Sequence, residues 1–216
     1  MIFLKDLFNK YMDDEIKLEK WQSLCVFCLI VVFSGFFGWV YEFFFYYLNS
    51  GMKTFYYRGA NFLPWINIYA TGAIMIILLT KRFKKQPMLV FLLSAISTGI
   101  LEYVAGYLMY HFDNGIRCWD YNTEILNYGN IDGFVCLRSV TFFGLSAILL
   151  MYLIVPLFIY ISKKASKKTL ICISVSLFAI VILDELYNLV FANLFGLPRA
   201  RDIYSKIGYK YMNYYK

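Results

Sequence analysis

Five stretches of this 216-residue chain run for about the 20 residues that a bilayer crossing needs, and most carry almost no charge. They are Leu24–Leu48, Phe62–Thr80, Met88–Tyr110, Phe134–Ile161 and Leu170–Phe195. That spacing constrains the fold more than any other feature. In hydrocarbon every backbone N–H and C=O must be satisfied within the protein, so such segments fold as helices. The charged fraction of 16% lies well below the quarter or so usual for a soluble domain, and the mean hydropathy is +0.58. The expected fold class is therefore all-α, a polytopic integral membrane bundle of about five transmembrane helices with a structured outer loop region.

The positive charges set an expected orientation. Lysine and arginine gather in three clumps: Lys5, Lys10, Lys17, Lys20; Lys81, Arg82, Lys84, Lys85; and Lys163, Lys164, Lys167, Lys168. Each flanks an apolar stretch, so membrane topology explains them better than a nucleic-acid-binding face. With the N-terminus cytoplasmic all three fall inside, whereas the outer loops carry only Lys53, Arg58, Arg117 and the nearby Arg138. A multi-pass protein of the cell membrane follows. Five crossings leave the tail with Arg199, Arg201, Lys206, Lys210 and Lys216 outside, against that rule, unless the fifth segment does not cross. The organisation reads as an interfacial amphipathic segment over 1–20, in which Leu4, Leu7, Phe8, Tyr11 and Met12 recur at helical spacing, a bundle over 21–195 and a basic, tyrosine-rich tail over 196–216. The opening segment is too charged for a cleavable signal peptide.

Ionisable groups inside spanning helices cost about 2.5–3.5 kcal/mol each and tend to face partners or cavities. Glu42, Glu102 and Arg138 are expected in the outer half of the membrane, Arg138 about one turn into the fourth helix, with Asp184 and Glu185 nearer the middle. Gly35, Gly38, Trp39 and Glu42 share one helix face; Ala95, Gly99, Glu102 and Gly106 share another. Small residues let helices approach, so both acids should point into packed protein. Two readings stand side by side: a buried ion pair of Glu42 or Glu102 with Arg138 that only fixes packing, or a ligand- or ion-contacting role. Asp184 and Glu185 point about 100° apart, and at least one should meet another helix or a cavity.

The outer loops supply further candidates. Arg58, Gly59, Asn61, Pro64, Trp65 and Asn67 suit a structured, partly re-entrant loop. The stretch from Asp113 to Gly133 holds Arg117, Trp119, Asp120 and Tyr121, a fork of donors, a stacking plane and an acceptor, then turn residues leading into the fourth helix. Ligand-binding candidates are thus Glu42, Arg58, Glu102, Arg117, Trp119, Asp120, Tyr121 and Arg138, with Asp184 and Glu185 as secondary acids. Glu42 and Glu102 are expected to face one site under the second loop. His111 reads as an interfacial residue. Cys25 and Cys28 sit in an apolar helix with no second pair nearby, so neither metal nor cofactor is expected; Cys118 and Cys136 flank the second loop, where an oxidising space would allow them to pair.

These residues resemble a known family, the putative ABC-transporter type IV family of bacterial membrane proteins. Its pattern is matched by Gly38, Trp39 and Glu42; by Arg58 and Gly59; by Pro64, Ile68, Tyr69, Gly72 and Ala73; by Glu102 and Gly106; by Trp119, Asp120 and Tyr121; and by Asn130, Gly133, Val135, Cys136 and Leu137. The likeness covers roughly residues 30 to 160. Tyr57, Leu63, Asn67 and Ala70 depart from it within the first loop, where specificity would differ. The resemblance implies a membrane component of a transport system. With no G-x-x-x-x-G-K-[ST] phosphate loop, ATP hydrolysis would fall to a separate ATPase subunit, and homo-oligomers remain open. The sequence leaves two other classes standing. One is a membrane-embedded enzyme acting on an outer-leaflet lipid or cell-envelope substrate, although no recognised catalytic motif is present. The other is a structural or regulatory membrane protein.

Overall fold

A computed structural model describes residues 2–112, 115 and 117–210. The side chains of Leu4, Lys5 and Leu7, and the residues Asp113 and Lys216, lie outside that description. The described residues form helices: α1 (Ile2–Met12), α2 (Lys20–Asn49), α3 (Asn67–Thr80), α4 (Pro87–Phe112), α5 (Leu137–Lys164), α6 (Lys167–Phe195) and α7 (Ala200–Lys206). Four of them, α2, α4, α5 and α6, are long and apolar enough to cross a membrane. This is a multi-pass membrane protein. Its packing is inverted relative to a soluble bundle. On α4, Ile96, Ile100, Val104 and Leu108 face outward, whereas Ser94, Ala95, Thr98, Gly99, Glu102 and Gly106 are buried.

The second expected span is shorter than its apolar run. Phe62–Thr80 reads as one segment, yet helix begins only at Asn67. Pro64 cannot donate a backbone hydrogen bond and disfavours helical geometry at Leu63. The N–H groups of Phe62 and Leu63 go instead to Asp184, at 3.0 and 2.7 Å. At 14 residues α3 measures about 21 Å, short of the roughly 30 Å of a hydrocarbon core. The preceding segment makes up part of the difference by folding into the bundle. Ile66 N–H donates to the carbonyl of Gly35, near the middle of α2, at 3.1 Å, and the Trp65 indole donates to Val31 O at 3.3 Å. Trp65 packs there with Val31, Ala70 and Val181. Glycine at position 35 is what admits it, since a Cβ would lie 2.1 Å from Trp65 Nε1; at position 38 a Cβ would lie 2.1 Å from the Tyr69 ring.

α3 packs between α2 and α4, α4 against α5, and α6 against α2. The basic clumps converge at one end of this bundle. Lys84 Nζ bonds Asp14 and the Tyr11 carbonyl at 2.5 Å each, Lys85 pairs with Asp13 at 2.7 Å, and Lys163 reaches Lys17 O at 2.6 Å. The polar loops 50–66 and 117–136 gather at the opposite end. The tail joins them: Tyr204 Oη donates to Phe62 O at 2.8 Å, and Tyr57 N–H to Lys210 O at 2.8 Å. Two long helices carry a single π turn. One, Leu150–Ile154, sits ahead of Pro156, whose missing N–H disturbs the turn before it; the other, Tyr187–Phe191, follows Asp184 and Glu185.

Candidate functional site

The candidate residues meet where the infolded loop touches the ends of α2, α4 and α6. Glu42, on the glycine face of α2, receives Arg58 Nε at 2.6 Å and the Tyr69 hydroxyl at 3.1 Å. Arg58 is buried, donates a second hydrogen bond through Nη2 to the carbonyl of Cys118 at 3.0 Å, and lays its guanidinium over the Tyr46 ring at 3.9 Å. One arginine therefore ties together α2 and both loops. The buried pair expected of Glu42 or Glu102 with Arg138 does not form. Arg138 is the second residue of α5, not a full turn in, and bonds Glu124 Oε2 at 2.7 Å while its guanidinium covers the Phe45 ring at 3.9 Å. Glu124 is buried and also takes the Tyr46 hydroxyl at 2.6 Å. Arg138 turns to the second loop because Glu42 already has a cation from the first.

Glu102 has no ion-pair partner among the described residues. The Tyr121 hydroxyl donates to its Oε1. Burial, reinforced by that carboxylate, pushes the Tyr121 phenol well above its ordinary value, so it remains a donor. Glu102 Oε2 and two nitrogens of Arg138, Nε and Nη1, have no hydrogen-bond partner among the described residues. They line a cavity of about 30 Å³ that Glu42, Tyr69 and Trp119 also reach, enough room for water to bridge carboxylate and guanidinium. Glu42 and Glu102 thus line one small cavity together with Trp119. Asp120 stays outside it, accepting from the Asn122 N–H at 3.1 Å as a turn former.

A larger cavity, about 450 Å³, opens on the other side of Glu42 and Trp119. Arg58, Arg117 and Arg201 line it with Glu185 and the first turn of α3. Both acids of α6 bind the infolded segment. Asp184 caps Phe62 and Leu63 as above and takes the Asn188 amide at 2.8 Å; Glu185 accepts from the amides of Asn61 and Asn67, each at 2.6 Å. Arg117 donates to Asp132 O at 2.9 Å and stands 3.6 Å from Asp120. His111 lies among Tyr107 and Tyr110 at the end of α4. Cys118 and Cys136 do not form a disulfide with each other, and no group of residues able to hold a metal occurs among the described residues.

The residues that place the loop in this way, from Gly35 and Gly38 through Arg58, Pro64 and Tyr69 to Glu102 and Trp119, lie within one continuous stretch of the chain. The family model described as Putative ABC-transporter type IV matches residues 26–189. The chain belongs to that family. No curated protein and no solved structure matches it. For this family member sequence reasoning missed Glu124, Tyr46, Asn61 and Asn67 as site partners. Glu124 sits in a loop with nothing local to distinguish it from a solvated acid. Tyr69 stood in the quoted motif, but its bond to Glu42 becomes visible only once loop and helix are folded together.

Proposed function

We propose that this chain is the membrane subunit of a transport system in the cell membrane, with its N-terminus in the cytoplasm, five crossings, a polar site opening outward, and ATP hydrolysis supplied by a separate subunit. One observation carries the reading: the second apolar run forms only a short helix, Asn67–Thr80, preceded by a loop whose backbone bonds into the bundle. Irregular backbone at membrane depth is tolerated where it is buried in protein or lines a cavity, and transporters use such broken helices to build substrate sites near the middle of the bilayer. Here the break at Pro64–Asn67 lies beside Glu42, Arg58 and Glu185, along the larger cavity. The basic end of the bundle supports a cytoplasmic N-terminus. The family's description supports the transport class.

The test is purification of the tagged full-length chain from its native membrane. A nucleotide-hydrolysing subunit should copurify in fixed ratio, and Glu42→Gln should lower the stimulation of its ATPase by this chain. Headgroup turnover by the isolated chain in liposomes, with no ATPase in the preparation, would overturn the transport reading in favour of a membrane-embedded enzyme.

A further inference from the structure

The stretch from Thr123 to Ile131 carries one charged side chain, Glu124, and that one is buried against Tyr46 and Arg138. Its large apolar side chains do the opposite. Ile125, Leu126, Tyr128 and Ile131 all turn outward, with Leu126 57% and Tyr128 72% exposed. A loop in water ordinarily shows its charges and hides its large apolar groups. Leu126 holds its outward position at φ +56°, in the left-handed region that long side chains rarely adopt. Met52, at the tip of the first loop, repeats the arrangement at φ +60° and is exposed as well. Backbone held in that region marks a position imposed by its surroundings or by a function.

Both tips hang from the last turn of α2. Met52 N–H donates to Tyr47 O at 3.0 Å, and Ile125 N–H donates to Asn49 Oδ1 at 3.0 Å. The second loop is fixed at its other end to α5, where Leu137 N–H donates to Tyr128 O at 2.8 Å. The two helices touch here, the Tyr41 ring stacked on Phe142 at 3.7 Å. Each brings an outward apolar row to the loops. Phe44 and Leu48 are exposed one turn apart on α2, and Leu137 and Leu145 are exposed two turns apart on α5. The lipid-facing surface of the spans therefore runs on into both loops. Backbone groups of the second loop also find partners inside the protein, as a dry setting requires: Ile131 N–H donates to Val135 O at 2.9 Å, and the Asn127 amide to Tyr121 O at 2.6 Å. With 30 residues α2 measures about 45 Å against about 30 Å of hydrocarbon, so its last turn stands at headgroup level.

We propose that the second loop over 125–131, with Met52 of the first, is an interfacial anchor that lies among the lipid headgroups and upper acyl chains at the loop end of the bundle. The partner is the bilayer itself. Leu126 and Ile131 supply apolar contact, and Tyr128 places its ring at the depth where an apolar body with a wet tip is favoured. A docked protein would also cover these side chains, but continuity with the lipid-facing rows of α2 and α5 favours lipid. The anchor depends on neither the transport reading nor the orientation of the N-terminus.

Depth-dependent quenching tests it. Leu126→Cys, Tyr128→Cys, Leu137→Cys and Asn122→Cys are made singly in the full-length chain, with the exposed Cys118 and Cys172 replaced by serine. Each carries a small fluorophore in phosphatidylcholine vesicles with or without bromine on the upper acyl chain. Interfacial apolar groups sit about 5–10 Å into the headgroup–acyl boundary, so probes at 126 and 128 should be quenched at least about threefold more than at the exposed Asn122. Their quenching should approach that at Leu137, and iodide in the water should rank the positions in the reverse order. Tyr128 lies outside the left-handed region, so it reads the anchor even where substitution of Leu126 misfolds the loop. Bromolipid quenching at 126 and 128 no greater than at Asn122 overturns the proposal. So does iodide access to both positions in vesicles that is lost only in native membranes, which would mark a docked protein.

Discussion

Removing Arg58 should destabilise the protein by more than removing Arg58 and the Glu42 charge together. Arg58 Nε lies 2.6 Å from Glu42 Oε2, and the two side chains are only 9% and 15% exposed. Arg58→Met keeps most of the stem but leaves the Glu42 carboxylate the Tyr69 hydroxyl in place of a cation, and takes one donor from the Cys118 carbonyl. Breaking a buried pair by deleting one partner costs about 3–5 kcal/mol, most of it the uncompensated charge. The double variant Arg58→Met with Glu42→Gln has no such charge, and its cost should fall to about 1–2 kcal/mol, a lost hydrogen bond and some packing. The two should therefore differ by about 2 kcal/mol, more than tenfold in the unfolding equilibrium. Denaturation by sodium dodecyl sulfate in mixed micelles, followed by tryptophan fluorescence, reads the difference. A single variant within about 1 kcal/mol of the unaltered protein, or a double variant no better than the single, would show that the pair is solvated and that Arg58 does not hold the two loops together.

Two further outcomes are expected. With Cys118 and Cys136 replaced, a cysteine at Asn122 should react with an impermeant thiol reagent on intact cells and a cysteine at Lys168 only after permeabilisation; the reverse pattern would invert the orientation. The hydrogen bond from Lys84 holds the Asp14 carboxyl below its ordinary value. Its folded pKa is depressed, so its contribution is present above the unfolded value and is lost as pH falls through and below about 4. Asp14→Asn should flatten that part of a stability–pH profile, and an unchanged slope would refute the assignment.

How the site came to be readable in part is plain from individual residues. The glycine faces of α2 and α4 were legible because periodicity fixes which residues share a face, and both Glu42 and Glu102 do turn inward. The partners of those acids were not. One of the two readings has Arg138 neutralise one of them; it pairs instead with Glu124, a choice made between segments that approach each other only in the folded bundle. Asp184 and Glu185 were legible as groups needing partners, but apart from Asn188 their partners are two backbone N–H groups and two asparagine amides 118 to 124 residues away in sequence.

The sequence by itself determined the class: long uncharged runs cannot remain in water, helices alone satisfy their backbone in lipid, and the lysine clumps must collect on one side. It also placed Pro64 among the residues of a partly re-entrant first loop, although it read Phe62–Thr80 as one apolar run; the break falls between Pro64 and Asn67. Only the tertiary structure decided how that break is used. Hydropathy records the cost of transferring a segment into hydrocarbon and is blind to where its backbone bonds go. Phe62 and Leu63 find Asp184, Ile66 finds Gly35, and the segment folds inward without helix because other parts of the chain supply those acceptors.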